Sequence, residues 1–372
     1  MSIVMRILHL IPHISGGGAE RQLSYLAPEM AKAGHEVHIA YLQEGPESVS
    51  LPGVVLHRLV LSGNHDPMLF WKLLRLIRTI EPGIIQSWIL MMDIAAGLLS
   101  LTTNAAWVLR ETSSEAAYLG FKFKQRLRAR LAHRASTIIC NSAGGRSYWL
   151  GQGIPHKRLP IIPNAVPFDF INDVKPLQNK SETRKILIYA GRLWPSKNVD
   201  VVINAISSAE WAHNVVFYIA GEGPSKPSLT CLVDRLKLRD AVKFVGFLSS
   251  RDLWAHIKAA DAFISLSNYE GMPNSVCEAI ACGIPLILSD IPAHRAFLDD
   301  DSALLIPVDS AVEVAQKIWH GMNNAPEATH RSERALRAIA DLTTETISAQ
   351  YIEVYERLIG RRGVPDQTRS SN

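Results

Sequence analysis

The sequence has no C-x-x-C pair. Its four cysteines, Cys140, Cys231, Cys277 and Cys282, stand singly in apolar segments, which excludes a disulfide framework or a structural zinc and fits a reduced compartment. No apolar run of about 20 residues is unbroken. The longest, Ile84 to Leu101, is interrupted by Gln86, Ser87 and Asp93, and reads as a strand over 84–88 with a helix from about 91. The opening run Met5 to Ile11 is too short, and too soon followed by glycines, for a signal peptide, and reads as a first strand. Neither sign of charge is in large excess: a formal net charge of +4 is far from a nucleic-acid-binding signature. The dinucleotide fingerprint G-x-G-x-x-G is absent too, since Arg21 stands where the third glycine after Gly16 and Gly18 would be. These absences leave a cytoplasmic chain with no nucleic-acid partner as the expectation.

What is present is ample core and a strand–helix rhythm. With 372 residues, 47% of them hydrophobic, the chain is long enough for two α/β domains. Strands are expected near 5–11, 36–42, 54–59, 84–88, 105–110, 137–141 and 159–162, with helical patterns between them, so the first half reads as a doubly wound sheet. From 165 to 183 the apolar rhythm lapses into Pro167, Asn172, Pro176, Asn179 and Lys180, the best linker in the sequence. The pattern restarts with strands near 186–190, 215–220, 242–245, 262–267, 286–288 and 304–308. The expected division is a Rossmann-like domain over 1–164, the linker 165–183, a second Rossmann-like domain over 184–343, a terminal helix over 344–360 and a disordered tail over 361–372. The fold class is α/β, with two doubly wound domains facing across a cleft.

Several loops fall at expected carboxyl ends of strands, where parallel sheets bind ligands. Gly16, Gly17 and Gly18 precede a helix, which allows close backbone approach and favours an anion, although a flexible turn explains them as well. Gly191-Arg192 with Lys197-Asn198 precedes another helix. A cation in a helix's first turn is disfavoured, so Lys197 calls for a partner, and a pyrophosphate would satisfy both Arg192 and Lys197, with solvated surface charges as the plain alternative. Gly221-Glu222-Gly223-Pro224 and Val245-Gly246-Phe247 place bare backbone at two further strand ends, where simple turns serve nearly as well. The stretch Glu270 to Glu278, E-G-M-P-N-S-V-C-E, lies between a strand and a helix. Ser275-x-x-Glu278 has the form of a capping box, whereas Glu270, beside Gly271, is better explained as an acceptor for a polyhydroxyl ligand.

Taken together and in order, Gly16-Gly17-Gly18-Ala19-Glu20, Gly191-Arg192 with Lys197-Asn198, Gly221-Glu222-Gly223-Pro224, and Glu270-x7-Glu278 running on to Gly283-x-Pro285 resemble the retaining glycosyltransferases of the GT-B fold, the group 1 family of bacterial polysaccharide and glycolipid assembly. The resemblance covers nearly the whole chain. It implies that Arg192 and Lys197 hold the donor pyrophosphate and replace a metal ion, so that no cofactor is needed. It implies that Glu270 reads donor-sugar hydroxyls, that Gly271, Met272, Pro273 and Asn274 lie near sugar and phosphates, and that Glu278 takes the ribose. The donor site would also include Gly17, Gly18, Gly191, Gly221, Gly223 and Gly246, with His13 beside the acceptor or donor sugar, and the last helix would pack back on the first domain. The implied partners are a nucleotide sugar, UDP favoured, and a saccharide or lipid-linked saccharide acceptor.

The sequence departs from the family pattern in three places. Arg110-Glu111 replaces a histidine common at that strand end, where an arginine could touch phosphate or donor sugar, and Asn164-Ala165 stands where Asn-Gly is common. Asp299-Asp300-Asp301 contains the D-x-D of another fold and reads here as a solvated turn. A further feature is Lys122, Arg126, Arg130 and Arg134 at i, i+4 spacing along one expected helix, with Lys124 and Arg128 on its other sides. Like charges at that spacing disfavour the helix unless an anion is near, so an anionic membrane surface is the partner expected there, and an ordinary solvated helix the alternative. That surface would make the protein peripheral on the inner face of the plasma membrane. Rivals are a sugar-nucleotide epimerase or phosphorylase of the same fold, which the Glu-x7-Glu stretch opposes, and a catalytically silent binding subunit, which Arg110 keeps open.

Overall fold

A computed structural model describes residues 4–47, 49–61, 66, 68–112, 122–177, 184–308 and 311–363. The chain divides into two units, between Ala165 and Val166 and again between Asp341 and Leu342, so that the last segment belongs to the first unit. Among the described residues no helix is long and apolar enough to cross a membrane.

The first unit runs β1 (Arg6–Leu10), α1 (Gly18–Lys32), β2 (Glu36–Tyr41), β3 (Val54–Arg58), α2 (Met68–Ile80), β4 (Ile84–Trp88), α3 (Ile89–Leu99), β5 (Ala106–Glu111), α4 (Lys122–Ala132), β6 (Thr137–Cys140) and α5 (Ala143–Gly151). Its six strands are parallel in the order β3-β2-β1-β4-β5-β6, so the direction of winding reverses between β1 and β4. Successive side chains alternate between two cores: Ile7, Ile84 and Val108 enter one, Leu8, Ile85 and Leu109 the other. The strand expected over 159–162 is reduced to a single bridge from Ile161 to Cys140. Pro160 removes an N–H from within what would be the ladder, and Pro163 follows directly after it.

The second unit runs α6 (Phe168–Asn172), β7 (Lys185–Ala190), α7 (Val199–Ser207), β8 (Val215–Ala220), α8 (Lys226–Arg235), β9 (Val242–Gly246), α9 (Ser250–Ala259), β10 (Ala262–Ser265), α10 (Asn274–Ala281), β11 (Leu286–Ser289), α11 (Pro292–Arg295), β12 (Leu304–Ile306), α12 (Ala311–Asn323) and α13 (Ala325–Ile339). The order β12-β11-β10-β7-β8-β9, again all parallel, repeats the winding of the first sheet, with its reversal between β7 and β10. The segment read as a linker differs from expectation. Over 166–177 it packs on the second unit, where Lys258 Nζ donates to the carbonyls of Ile171 and Val174 at 2.5 and 2.8 Å, and Leu177 N donates to Ala255 O at 3.2 Å. Residues 178–183 of that linker lie outside the described residues.

α14 (Thr344–Gly363) packs against α1 and inserts Ile347, Tyr351 and Tyr355 into the first unit's core. It takes in 361–363 of the expected tail, and 364–372 lie outside the described residues.

Charges are also enclosed in this unit. Arg128, read from the sequence as one of the charges encircling α4, points inward: Nε donates to Asp93 at 2.7 Å and Nη1 to Glu111 at 2.9 Å, with the guanidinium over the Trp149 ring. Arg110, on the opposite face of β5 from Glu111, is 1% exposed. Its Nη1 donates to Ile162 O and its Nη2 to Asn164 Oδ1, both at 2.9 Å, while the group lies over Tyr351. Expected at a phosphate or sugar, Arg110 is here turned inward, held by the chain's own groups. Beside it the Gln22 amide brackets Ala165, accepting from its N–H and donating to its carbonyl.

Candidate functional site

The carboxyl edge of the second sheet, at its switch between β7 and β10, brings two of the expected residues together. β7 ends at Ala190, and the loop runs from Gly191 through Pro195–Lys197 to Asn198, whose left-handed φ of 51° starts α7. β10 ends at Ser265 and its loop carries Glu270. Lys197 Nζ forms an ion pair with Glu270 Oε1, and Ser267 Oγ donates to the same oxygen at 2.8 Å. The loops are stitched by Asn198 Nδ2 to Leu266 O at 2.8 Å and by Asn268 N to Ser196 O at 2.9 Å. Lys197 therefore does have a carboxylate partner, which corrects the reading that its place by a helix start left it wanting one. Arg192 in the same loop is exposed and has no ion pair among the described residues. Its carbonyl accepts from the buried Tyr189 hydroxyl at 3.0 Å, and burial raises that phenol far above its ordinary range, so it stays a neutral donor.

The glycines of this edge have a structural reason first. A Cβ on Gly221, at φ 138°, would lie 1.9 Å from Gly191 O, and one on Gly223 would lie 2.4 Å from Leu193 O. The loops after β7, β8 and β9 thus pack backbone to backbone, with Gly221 N donating to Gly246 O at 2.7 Å and Leu193 N to Glu222 O at 2.9 Å.

Glu278 is not in a capping box. α10 begins at Asn274 under Pro273, with no side-chain cap, so Ser275 is already inside the helix and Glu278 lies in its second turn, 3% exposed. Proline at the cap fixes this start one residue before Ser275. Gly271 and Met272 lead into that cap. Burial, reinforced by the Glu278 carboxylate, pushes the thiols of Cys277 and Cys282 up to about 12, so neither is a nucleophile. The aspartates 299–301 are exposed and engage arginines, Asp300 with Arg295 at 2.9 Å and Asp301 with Arg334 at 3.6 Å.

In the first unit the glycine loop is partly filled by the chain itself. The Glu20 carboxylate lies over Gly17, so close that a Cβ there would meet its Oε2 at 2.2 Å, and it supplies negative charge at the α1 N-terminus beside Gly18. His13 is half-exposed between Gln43, at 3.2 Å, and Glu20, at 4.0 Å. Ile89, at the end of β4, has φ 71°, a strained conformation for a β-branched residue that no sequence signal announces. Of the anionic-surface residues, Arg126 and Arg130 are exposed on α4, with Phe123 80% exposed beside them. Arg134 lies beyond the end of that helix, and the Lys122 side chain lies outside the described residues. Sequence reasoning missed Ser267, Ser289, His294 and the Asp93–Arg128–Glu111 triad; only Ser267, three residues before Glu270, carried a usable signal.

Comparison with known proteins bears on the family and the fold. Residues 171–338 match the family described as Glycosyl transferases group 1, and residues 16–170 match Glycosyltransferase Family 4. An exopolysaccharide phosphotransferase of Streptomyces coelicolor is 29% identical over 220 residues, 58% of this chain and 22% of that protein, so the chain spans less than a quarter of that relative. The N-acetylgalactosamine-N,N'-diacetylbacillosaminyl-diphospho-undecaprenol 4-alpha-N-acetylgalactosaminyltransferase of Campylobacter jejuni is 26% identical over 317 residues, 80% of this chain and 84% of that one. Among solved structures, Anabaena HepE in complex with UDP and glucose superposes with a TM-score of 0.82 at 18% identity, over 95% of this chain and 100% of that one, which shows a shared fold. With the two family matches running from residue 16 to residue 338 over a pair of Rossmann-like units, the chain belongs to the group 1 glycosyltransferases and has the GT-B fold.

Proposed function

We propose that the chain is a retaining, metal-independent transferase that moves a hexose or N-acetylhexosamine from a UDP sugar to a hydroxyl of a lipid-linked saccharide. The observation that carries this reading is the Lys197–Glu270 pair at the second sheet's switch point, with the exposed cation of Arg192 in the same loop. Arg192 and Lys197 take the charge that develops on the departing diphosphate. Glu270 accepts from sugar hydroxyls, and Glu278 from the ribose. The bond from the anomeric carbon to the diphosphate oxygen breaks, the acceptor oxygen bonds to the same face of that carbon, and the acceptor proton passes to the departing phosphate. The UDP and lipid-linked assignments draw support from the ligands named with the Anabaena structure and from the name of the Campylobacter enzyme.

A thermal-shift panel of UDP-, GDP-, ADP- and TDP-sugars tests the donor. A ligand at a hundred times its Kd stabilises by about 3 kcal/mol, and the UDP sugars are expected to give the largest shift. A panel in which none shifts, or in which another base leads, contradicts the UDP assignment.

A further inference from the structure

Behind Glu270 lies a chain of hydrogen bonds that leads away from the cation loop into the sheet. Ser267 Oγ donates to Glu270 Oε1 at 2.8 Å. The carbonyl of Ser267 accepts from Ser289 Oγ at 2.6 Å, across from β10 to the end of β11. The carbonyl of Ser289 in turn accepts from His294 Nδ1 at 2.8 Å. His294 is fully buried on the one-turn helix α11, which Arg295 anchors to Asp290 and Asp300 from outside.

A carbonyl can only accept, so Nδ1 carries the hydrogen. Nε2 is buried with no hydrogen-bond partner among the described residues, and a second N–H there would have no acceptor. Burial depresses the imidazole, although Glu270 is near enough to raise it and Lys197 to lower it, so the ring is neutral with one fixed tautomer.

We infer that His294, Ser289 and Ser267 form a positioning relay that fixes the Glu270 carboxylate, and through it Lys197, in the orientation that reads the donor sugar. His294 touches no substrate; it acts through Ser289 and Ser267. The inference rests on the donor-site reading above.

The test uses the full chain with UDP-glucose and UDP as probes, measuring affinity for each by calorimetry and turnover of UDP-glucose. His294→Gln removes the donor at the Nδ1 position, His294→Asn keeps one there, and Ser289→Ala cuts the relay at its middle without removing the histidine. In His294→Gln and Ser289→Ala, UDP-glucose affinity is expected to fall toward that of UDP, UDP affinity to hold, and turnover to fall by up to about a hundredfold. His294→Asn is expected to lose less on each count. Combined with Glu270→Gln, His294→Gln is expected to cost nothing further, because the two act through one carboxylate.

Affinities for UDP and UDP-glucose that fall in parallel with melting temperature, or losses that multiply in the double variant, would overturn the relay. So would an unchanged Ser289→Ala beside a defective Glu270→Gln. If Glu270→Gln itself leaves sugar discrimination intact, or the wild type binds neither probe, the donor-site reading fails and takes the relay with it.

Discussion

Arg128 holds two carboxylates inside the first unit, and the arrangement leaves one of them poorly compensated. Ser87 and Arg128 both donate to Asp93, yet burial outweighs them and raises its carboxyl to about 6. The folded state therefore binds this proton more tightly than the unfolded chain, whose value is near 3.8. The contribution to stability is complete below that value and is lost as pH rises through about 6. Relative to Asp93→Asn, the wild type is expected to lose about 2 kcal/mol of unfolding free energy between about pH 4 and pH 7. Urea denaturation at both pH values checks it; a difference that does not change with pH would mean that Arg128 keeps Asp93 ionised throughout. None of this was legible in the sequence. Asp93 showed only as an interruption in an apolar run, and the basic spacing of α4 hid that Arg128 faces the other way. Arg110 and Glu111 stood out as departures, but adjacent residues on a strand buried on both faces look alike from sequence whether they meet a ligand or the interior.

At the scale of elements, strands and loops were legible because their signals are local. β8 lies where its apolar run placed it, and the loops after β7 and β10 carry Gly191 and Glu270 as spaced. Helix starts were less so: proline at a cap moved α10 forward and removed a capping box that its sequence spelled out. α4 keeps an outward face of Phe123, Lys124, Arg126 and Arg130, and we propose that this face meets anionic lipid, which would carry the protein to a lipid-linked acceptor. Wild-type protein is expected to float with vesicles containing phosphatidylglycerol and not with purely zwitterionic ones, and Arg126→Glu with Arg130→Glu to abolish flotation. Flotation that the double variant leaves unchanged would place the lipid contact elsewhere or nowhere.

Over the whole molecule, one winding is used twice, and each copy reverses at the strand whose following loop carries charged or glycine-rich residues. The repetition was readable because parallel strands buried on both faces leave short apolar runs at regular intervals. What the spacing could not show is which residues pair across sequence distance. Lys197 and Glu270 are 73 residues apart and meet only because β7 and β10 are neighbours in the sheet. That meeting point is the centre of the functional reading, and UDP release from UDP-glucose by the purified chain measures it most directly, in wild type and Arg192→Ala with melting temperatures alongside. The wild type is expected to release UDP slowly without acceptor, and Arg192→Ala to do so at least about a hundredfold more slowly with unchanged melting; a variant as fast as the wild type, or a wild type that releases none, would contradict it.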